Sequence, residues 1–258
     1  MWLAPKPLHQ PRTVVPTVIV FPLIALLASA ACTATAIVRY RRSGRTHELV
    51  WTAAFALFAL GAACEVLATP RGWNPFLARL YYYSGATLVA AYLGLGTLFL
   101  LAPRRVAGAA LTALLLLSAL AGMLVAATPV NPAALREAGW AALEKGPALI
   151  VLTITLNVGG TLVVVGGALF SAWRAWRGGW NRRVAATLLI AAGTLVVASG
   201  GTLTRLGQHS YLYLAMAPGV CLLLAGYLLP EVRALPWPRW PWRRTASLSA
   251  LADADRAP

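Results

Sequence analysis

Long apolar runs alternate with short polar connections along almost the whole chain. Seven of these runs reach the roughly 20 residues that a helix needs to cross about 30 Å of hydrocarbon. They lie near 13–38, 47–69, 80–102, 106–127, 148–172, 184–206 and 210–230. None shows the period-two alternation of an outer-membrane strand, so all seven predict helices. The pattern gives an all-α fold class: a polytopic membrane protein built as a seven-transmembrane-helix bundle. Residues 1–12 form an outer N-terminal segment, 13–230 the membrane domain and 231–258 a Trp/Pro/Arg-rich tail.

The connections carry the orientation. Arg39, Arg41, Arg42, Arg45, Arg104, Arg105, Arg174, Arg177, Arg182, Arg183 and five tail arginines fall on one alternating set. The other set holds Lys6, Arg12, Arg71, Arg79, Arg136, Lys145 and Arg205. The positive-inside rule then puts the N-terminus outside and the C-terminus in the cytoplasm, in a multi-pass protein of the cell (inner) membrane. Composition agrees, with 59% hydrophobic and 11% charged residues. The net charge of +15 reads as a topology signal and a contact for anionic lipid headgroups at the cytoplasmic face, not as a nucleic-acid surface. In the tail, Leu235-Pro236-Trp237-Pro238-Arg239-Trp240 excludes an α-helix and suits a headgroup-layer anchor. Partner docking is the alternative for that segment, and a homo-oligomer or larger membrane complex stays open. Arg39-Tyr40-Arg41-Arg42 closes the first run as a retained span, not a cleaved signal.

The polar residues within or beside the spans are few, and each needs a reason. Glu65 falls about 27 Å along span two, in the outer part of the membrane. Arg79, Tyr81, Arg205, His209 and Tyr211 reach the same level, so Glu65 is expected either in an ion pair with Arg79 or Arg205 or in a ligand site with these groups. In a ligand site, Glu65→Gln weakens a ligand more than it lowers the melting temperature. Glu48, at the cytoplasmic mouth of span two, calls for no special account. At mid-depth, Asn157 must find a partner on a neighbouring helix, with Thr153 on its own face and Tyr92 on span three as companions. Pro218-Gly219 predicts a hinge in span seven. The loop near 128–147 contains an amphipathic piece, 133–140, suited to an interfacial helix. Spans one and five, and three and seven, share exit or entry motifs, which a three-plus-one-plus-three repeat or merely a shared orientation explains.

The vocabulary of catalysis is thin. Lys6 and Lys145 lie outside the spans, so no retinal Schiff base is expected, and His9, His47 and His209 are scattered among different ends. Cys32, Cys64 and Cys221 show no metal-ligand spacing and read as small apolar residues. No enzyme, metal site or cofactor is expected. The stretch from Trp51 to Leu101 contains Glu65, Gly72-Trp73-Asn74-Pro75, Arg79-Leu80-Tyr81-Tyr82 and Leu93-Gly94-Leu95-Gly96-Thr97. It resembles a group of bacterial multi-span membrane proteins, a likeness that covers about a fifth of the chain and brings no activity with it. The layout is also similar to rhodopsin-like proteins, without their lysine, and to three-plus-one-plus-three sugar transporters and PQ-loop proteins, without a Pro-Gln pair in a span. Two functions follow as expectations. One is a non-enzymatic bundle that binds a lipid or small amphiphile from the outer side, or serves as a membrane subunit or sensor. The alternative is a facilitative transporter with a midplane site near Asn157 and Tyr92, favoured by a true repeat and a cavity that reaches Asn157, whereas a closed midplane with lipid-like density favours the binder.

Overall fold

A computed structural model describes the backbone of residues 15–205 and 210–229, with side chains at 19–136, 138–201 and 215–229. It is all-helical, and no strand is present among the described residues. Seven long helices succeed one another: α1 Val15–Ser43, α2 Thr46–Arg71, α3 Pro75–Leu101, α4 Arg104–Ala127, α5 Pro147–Arg177, α6 Asn181–Arg205 and α7 Ser210–Leu228. Six are long and apolar enough to cross a membrane, and Ala215–Leu228 of α7 adds a shorter apolar helix. The N-terminal segment and the tail from 231 lie outside the described residues.

Local chemistry sets the boundaries. Gly72 ends α2 at φ 79°, a left-handed conformation open to glycine, and its N–H bonds to Ala68 O at 2.7 Å. Two residues later the Asn74 side chain accepts from Leu77 N at 2.9 Å, and Pro75 at the first helical position starts α3. That start lies five residues before the apolar run, because a cap and a proline define a helix end more sharply than hydropathy does. Within the helices, hydroxyls return their protons to carbonyls four residues back, as Ser29 does to Ala25 and Thr194 to Ile190.

Six helices form a closed ring in the order α1, α2, α3, α5, α6, α7, while α4 packs outside on α3 and α5. Small residues bring backbones together at the seams. A Cβ on Gly94 would stand 3.0 Å from the Gly160 Cα between α3 and α5, and one on Gly61 would stand 3.0 Å from the Gly85 Cα between α2 and α3. Gly219, expected to be a hinge, is such a contact: it presses on Gly193 O of α6, and α7 continues helically through Pro218. Leu115, Leu116 and Met123 on α4 and Leu162 on α5 point away from the ring, as lipid-facing side chains do.

One helix departs from the α pattern. Residues Tyr82–Leu88 of α3 form a π-helical segment. The widened turn changes which carbonyls are free, and side chains take them up. Thr87 Oγ1 donates to Tyr82 O at 2.9 Å, and Asn157 Nδ2 on α5 donates to Ala86 O at 2.8 Å.

Candidate functional site

The ring encloses a cavity of about 680 Å³ in the half of the bundle opposite the arginine-rich connections. Its walls come from α3, α5, α6 and α7, with Phe58 of α2, and the loop residues Trp140, Ala141 and Lys145 cover its end. Along α5 the lining runs from Ile150 to Leu162, a depth of about 18 Å against roughly 30 Å of hydrocarbon. Val158 and Leu162 line it while remaining 51% and 67% exposed. The cavity therefore opens sideways along α5, towards the surface that lipid would cover.

The covering loop is folded inward instead of lying flat. Residues 133–140, expected as an interfacial helix, make only one turn, Leu135–Ala138, followed by the 3₁₀ turn Gly139–Ala142. A bridge between Val130 and Leu143 closes the loop on itself, and Arg79 donates to Thr128 O at 3.0 Å to hold it against α3. Leu135 and Leu143 are buried, which explains why an amphipathic stretch left the interface. Gly139, at φ 59°, sits beside Trp73, where a Cβ would fall 2.8 Å from the indole nitrogen. Trp140 thereby reaches Tyr81 and Tyr82, with ring centroids 5.4 and 6.1 Å apart. The Lys145 ammonium lies 5.5 Å from the Tyr82 ring and 5.7 Å from the Trp140 ring, in reach of their electron-rich faces. Partial burial holds its pKa below the ordinary lysine value, because the charged form is incompletely hydrated.

Deeper in the wall the hydroxyl directions can be worked out. Thr87 spends its proton on Tyr82 O, so at the 3.3 Å contact between Thr87 Oγ1 and Thr153 Oγ1 the donor is Thr153. Tyr82 then donates to Thr153 at 3.3 Å, and the chain of hydroxyls ends at a carbonyl of α3. Asn157 gives both amide protons to carbonyls, Ala86 O and Thr153 O, each at 2.8 Å. Its remaining capacity is the acceptor oxygen.

The other expected site residues divide. Tyr81, Thr153 and Asn157 line the cavity, whereas the Tyr92 hydroxyl meets Ser118 of α4 at 3.3 Å and is not part of it. Tyr92 and Asn157 leave α3 and α5 towards different neighbours, which removes Tyr92 from the midplane site. Glu65 is buried behind Tyr81, whose hydroxyl is directed at it, but its oxygens have no hydrogen bond of ordinary geometry. The Glu65–Arg79 ion pair is not formed, because Arg79 is committed to the loop carbonyl at Thr128. His209 lies outside the described residues, as do the side chains of Arg205 and Tyr211.

No family model, curated protein or solved structure matches the chain. No group of three or more His, Cys, Asp or Glu suited to a metal occurs among the described residues.

A second cluster, at the arginine-rich end, was given no role by the sequence. Tyr227 of α7 donates to the Glu48 carboxylate, whose other oxygen lies 3.5 Å from His47 Nε2. Arg39 of α1 stacks 4.0 Å from the Tyr227 ring and donates to Tyr227 O at 2.6 Å. Trp51 and Phe55 edge the same ring, and Trp51 donates to Leu93 O at 3.2 Å. Between this plug and the main cavity lies a void of only about 20 Å³ that shares Leu93 and Leu223 with it. The available signal was the spacing Glu48, Trp51, Phe55, which aligns a carboxylate and two rings on one face of α2.

Proposed function

We propose that the chain is a non-enzymatic seven-span protein of the cell membrane that binds a lipid or small amphiphile from the outer side, as an independent binder or as the sensing or binding subunit of a complex. In this reading α7 spans with the other six helices, the N-terminus is outside, and the arginine-rich end faces the cytoplasm and its anionic headgroups. One observation carries the proposal: a large cavity, apolar along most of its length, opens laterally past Val158 and Leu162 and is polar under its loop cover. A water-soluble ligand has no use for a side opening into hydrocarbon, whereas a chain-bearing molecule does. The volume falls in the roughly 300–1,000 Å³ range of small-molecule sites.

Native mass spectrometry of the protein released from membranes tests this. Wild type is expected to retain or exchange single-chain amphiphiles, and Val158→Trp, which narrows the lateral mouth, to retain several-fold less. Failure of the wild type to take up any amphiphile sinks the reading. Orientation is tested separately: a cysteine introduced at Glu144 should react with a membrane-impermeant maleimide added from outside.

Facilitative transport is the second reading, and a specific observation favours it. The cavity reaches Asn157 and passes it, and the small void beyond shares Leu93 and Leu223 as a constriction. The ring order also suits two three-helix units joined by the peripheral α4, although helices adjacent in sequence pack together in most bundles. Uptake into proteoliposomes separates the readings, since a binder gives none.

A further inference from the structure

We infer that the cavity selects an amphiphile with an anionic headgroup, a carboxylate or phosphate, which pairs with the Lys145 ammonium under the Trp140 cover while its chain lies along α5. The inference rests on the amphiphile reading and specifies its ligand class. Among the described residues, Lys145 is the only charged side chain that lines the cavity. No carboxylate among the described residues pairs with it, and its one hydrogen bond is a 3.4 Å contact to Ala141 O four residues back. Of three donor protons, at least two remain to be satisfied. Two aromatic faces stand where a counter-ion would be expected, a weaker substitute for a charge pair.

Two further features carry the same sign. Lys145 directly precedes Gly146, the N-cap of α5, and a glycine has no side chain with which to cap the N–H groups of the first turn. The first turn of α5 also lacks an acidic residue, so its unbonded N–H groups and helix dipole favour an anion beside the lysine. The remaining wall groups argue against a cationic head. Tyr82 and Thr153 spend their protons on one another's network, and Glu65, the nearby carboxylate, is shut off behind Tyr81. Below the lysine the wall is apolar apart from hydroxyls and the Asn157 oxygen, as an acyl or alkyl chain requires.

The test uses the full chain in nanodiscs and four probes of equal chain length: palmitate, hexadecyl phosphate, hexadecanol and hexadecyltrimethylammonium. Palmitate and hexadecyl phosphate are expected to bind about ten-fold tighter than hexadecanol, an ordinary return for one charge-assisted contact. The difference between the two acids tells a carboxylate site from a phosphate site. Lys145→Gln should bring the acids down to the alcohol without weakening the alcohol, and Lys145→Arg should keep the acid preference. The preference should also fade as pH rises through the depressed lysine pKa, since only the charged ammonium attracts the anion. Among the described residues, the other charged or titratable groups at that end are Arg79, Tyr81, Tyr82 and Tyr83 of α3, Glu65 and Arg71 of α2, and Arg136 and Glu144 in the loop; Arg79 is committed to Thr128 O, Arg71 and Arg136 are exposed, and none of the three cations lines the cavity. Equal binding of acid and alcohol by wild type, or an acid preference that survives Lys145→Gln, overturns the inference while leaving amphiphile binding intact. Binding of none of the four probes overturns both.

Discussion

The two ends of the helix ring treat buried polarity in opposite ways. At the arginine-rich end Glu48, Tyr227, His47 and Arg39 satisfy one another across α1, α2 and α7, and the space between them is almost filled. At the loop end Glu65 is enclosed without an ordinary hydrogen bond, Lys145 lacks a counter-ion among the described residues, and a large cavity separates the helices. A satisfied polar cluster ties helices together; an unsatisfied one beside empty space leaves capacity for a ligand. In the proposed reading the difference puts binding at the loop end and closure at the other, even though the arginine-rich end holds more charge.

The change with the largest expected effect abolishes the comparison by parting the ring. A Cβ on Gly160 would fall on the Ala90 backbone, so Gly160→Leu should lower the melting temperature by on the order of 10 °C, the result of about 3 kcal/mol of overpacking in a chain of this size. Next comes Tyr227→Phe, which removes a hydrogen bond to a carboxylate and should cost about 1.5–3 kcal/mol in thermal or denaturant unfolding. Amphiphile binding at the far end should stay unchanged; a binding loss equal to the stability loss would mean that the ends are coupled. Trp140→Phe should do the reverse, weakening retention of an acidic amphiphile by several-fold with a smaller change in melting, because the indole covers the cavity and faces the ammonium while a phenyl ring keeps much of the packing on Tyr81 and Tyr82. Glu65→Gln should have the smallest effect, a melting temperature equal to or slightly above wild type, since the carboxylate has no ordinary hydrogen bond to lose. A clear fall would show that Glu65 holds a structural partner.

Much of the scaffold was legible because it follows from hydrocarbon thickness and from backbone hydrogen bonding in lipid. The demand that Asn157 find a neighbouring helix likewise follows from chemistry alone, and its bonds to Ala86 O and Thr153 O answer it. Lys145 was illegible as a site residue because sequence reading treats a loop lysine as a topology charge. Its inward position depends on contacts between Trp73, Tyr81 and Trp140, which lie on segments far apart in the chain. Glu48 was passed over for a related reason: its partners are on α1 and α7, and nothing in span two announces them. The π-helical segment left no trace in composition, because Tyr-Tyr-Ser-Gly-Ala-Thr-Leu is as apolar and small as an α-helical stretch in the same place.

That segment also sets the angular phase of everything before it. An α-helix advances about 100° per residue, and a widened turn absorbs a residue without breaking the rod. Closing Tyr82–Leu88 into regular α-helix with no residue removed would wind the surplus residue into the rod and turn Pro75–Tyr81 about 100° relative to the rest. Tyr81 would swing away from Trp140 and Glu65, while Gly94 kept its place against Gly160. The widened turn thus aims the aromatic cover of the cavity, while the seam that holds the ring together keeps its register on the other side of it.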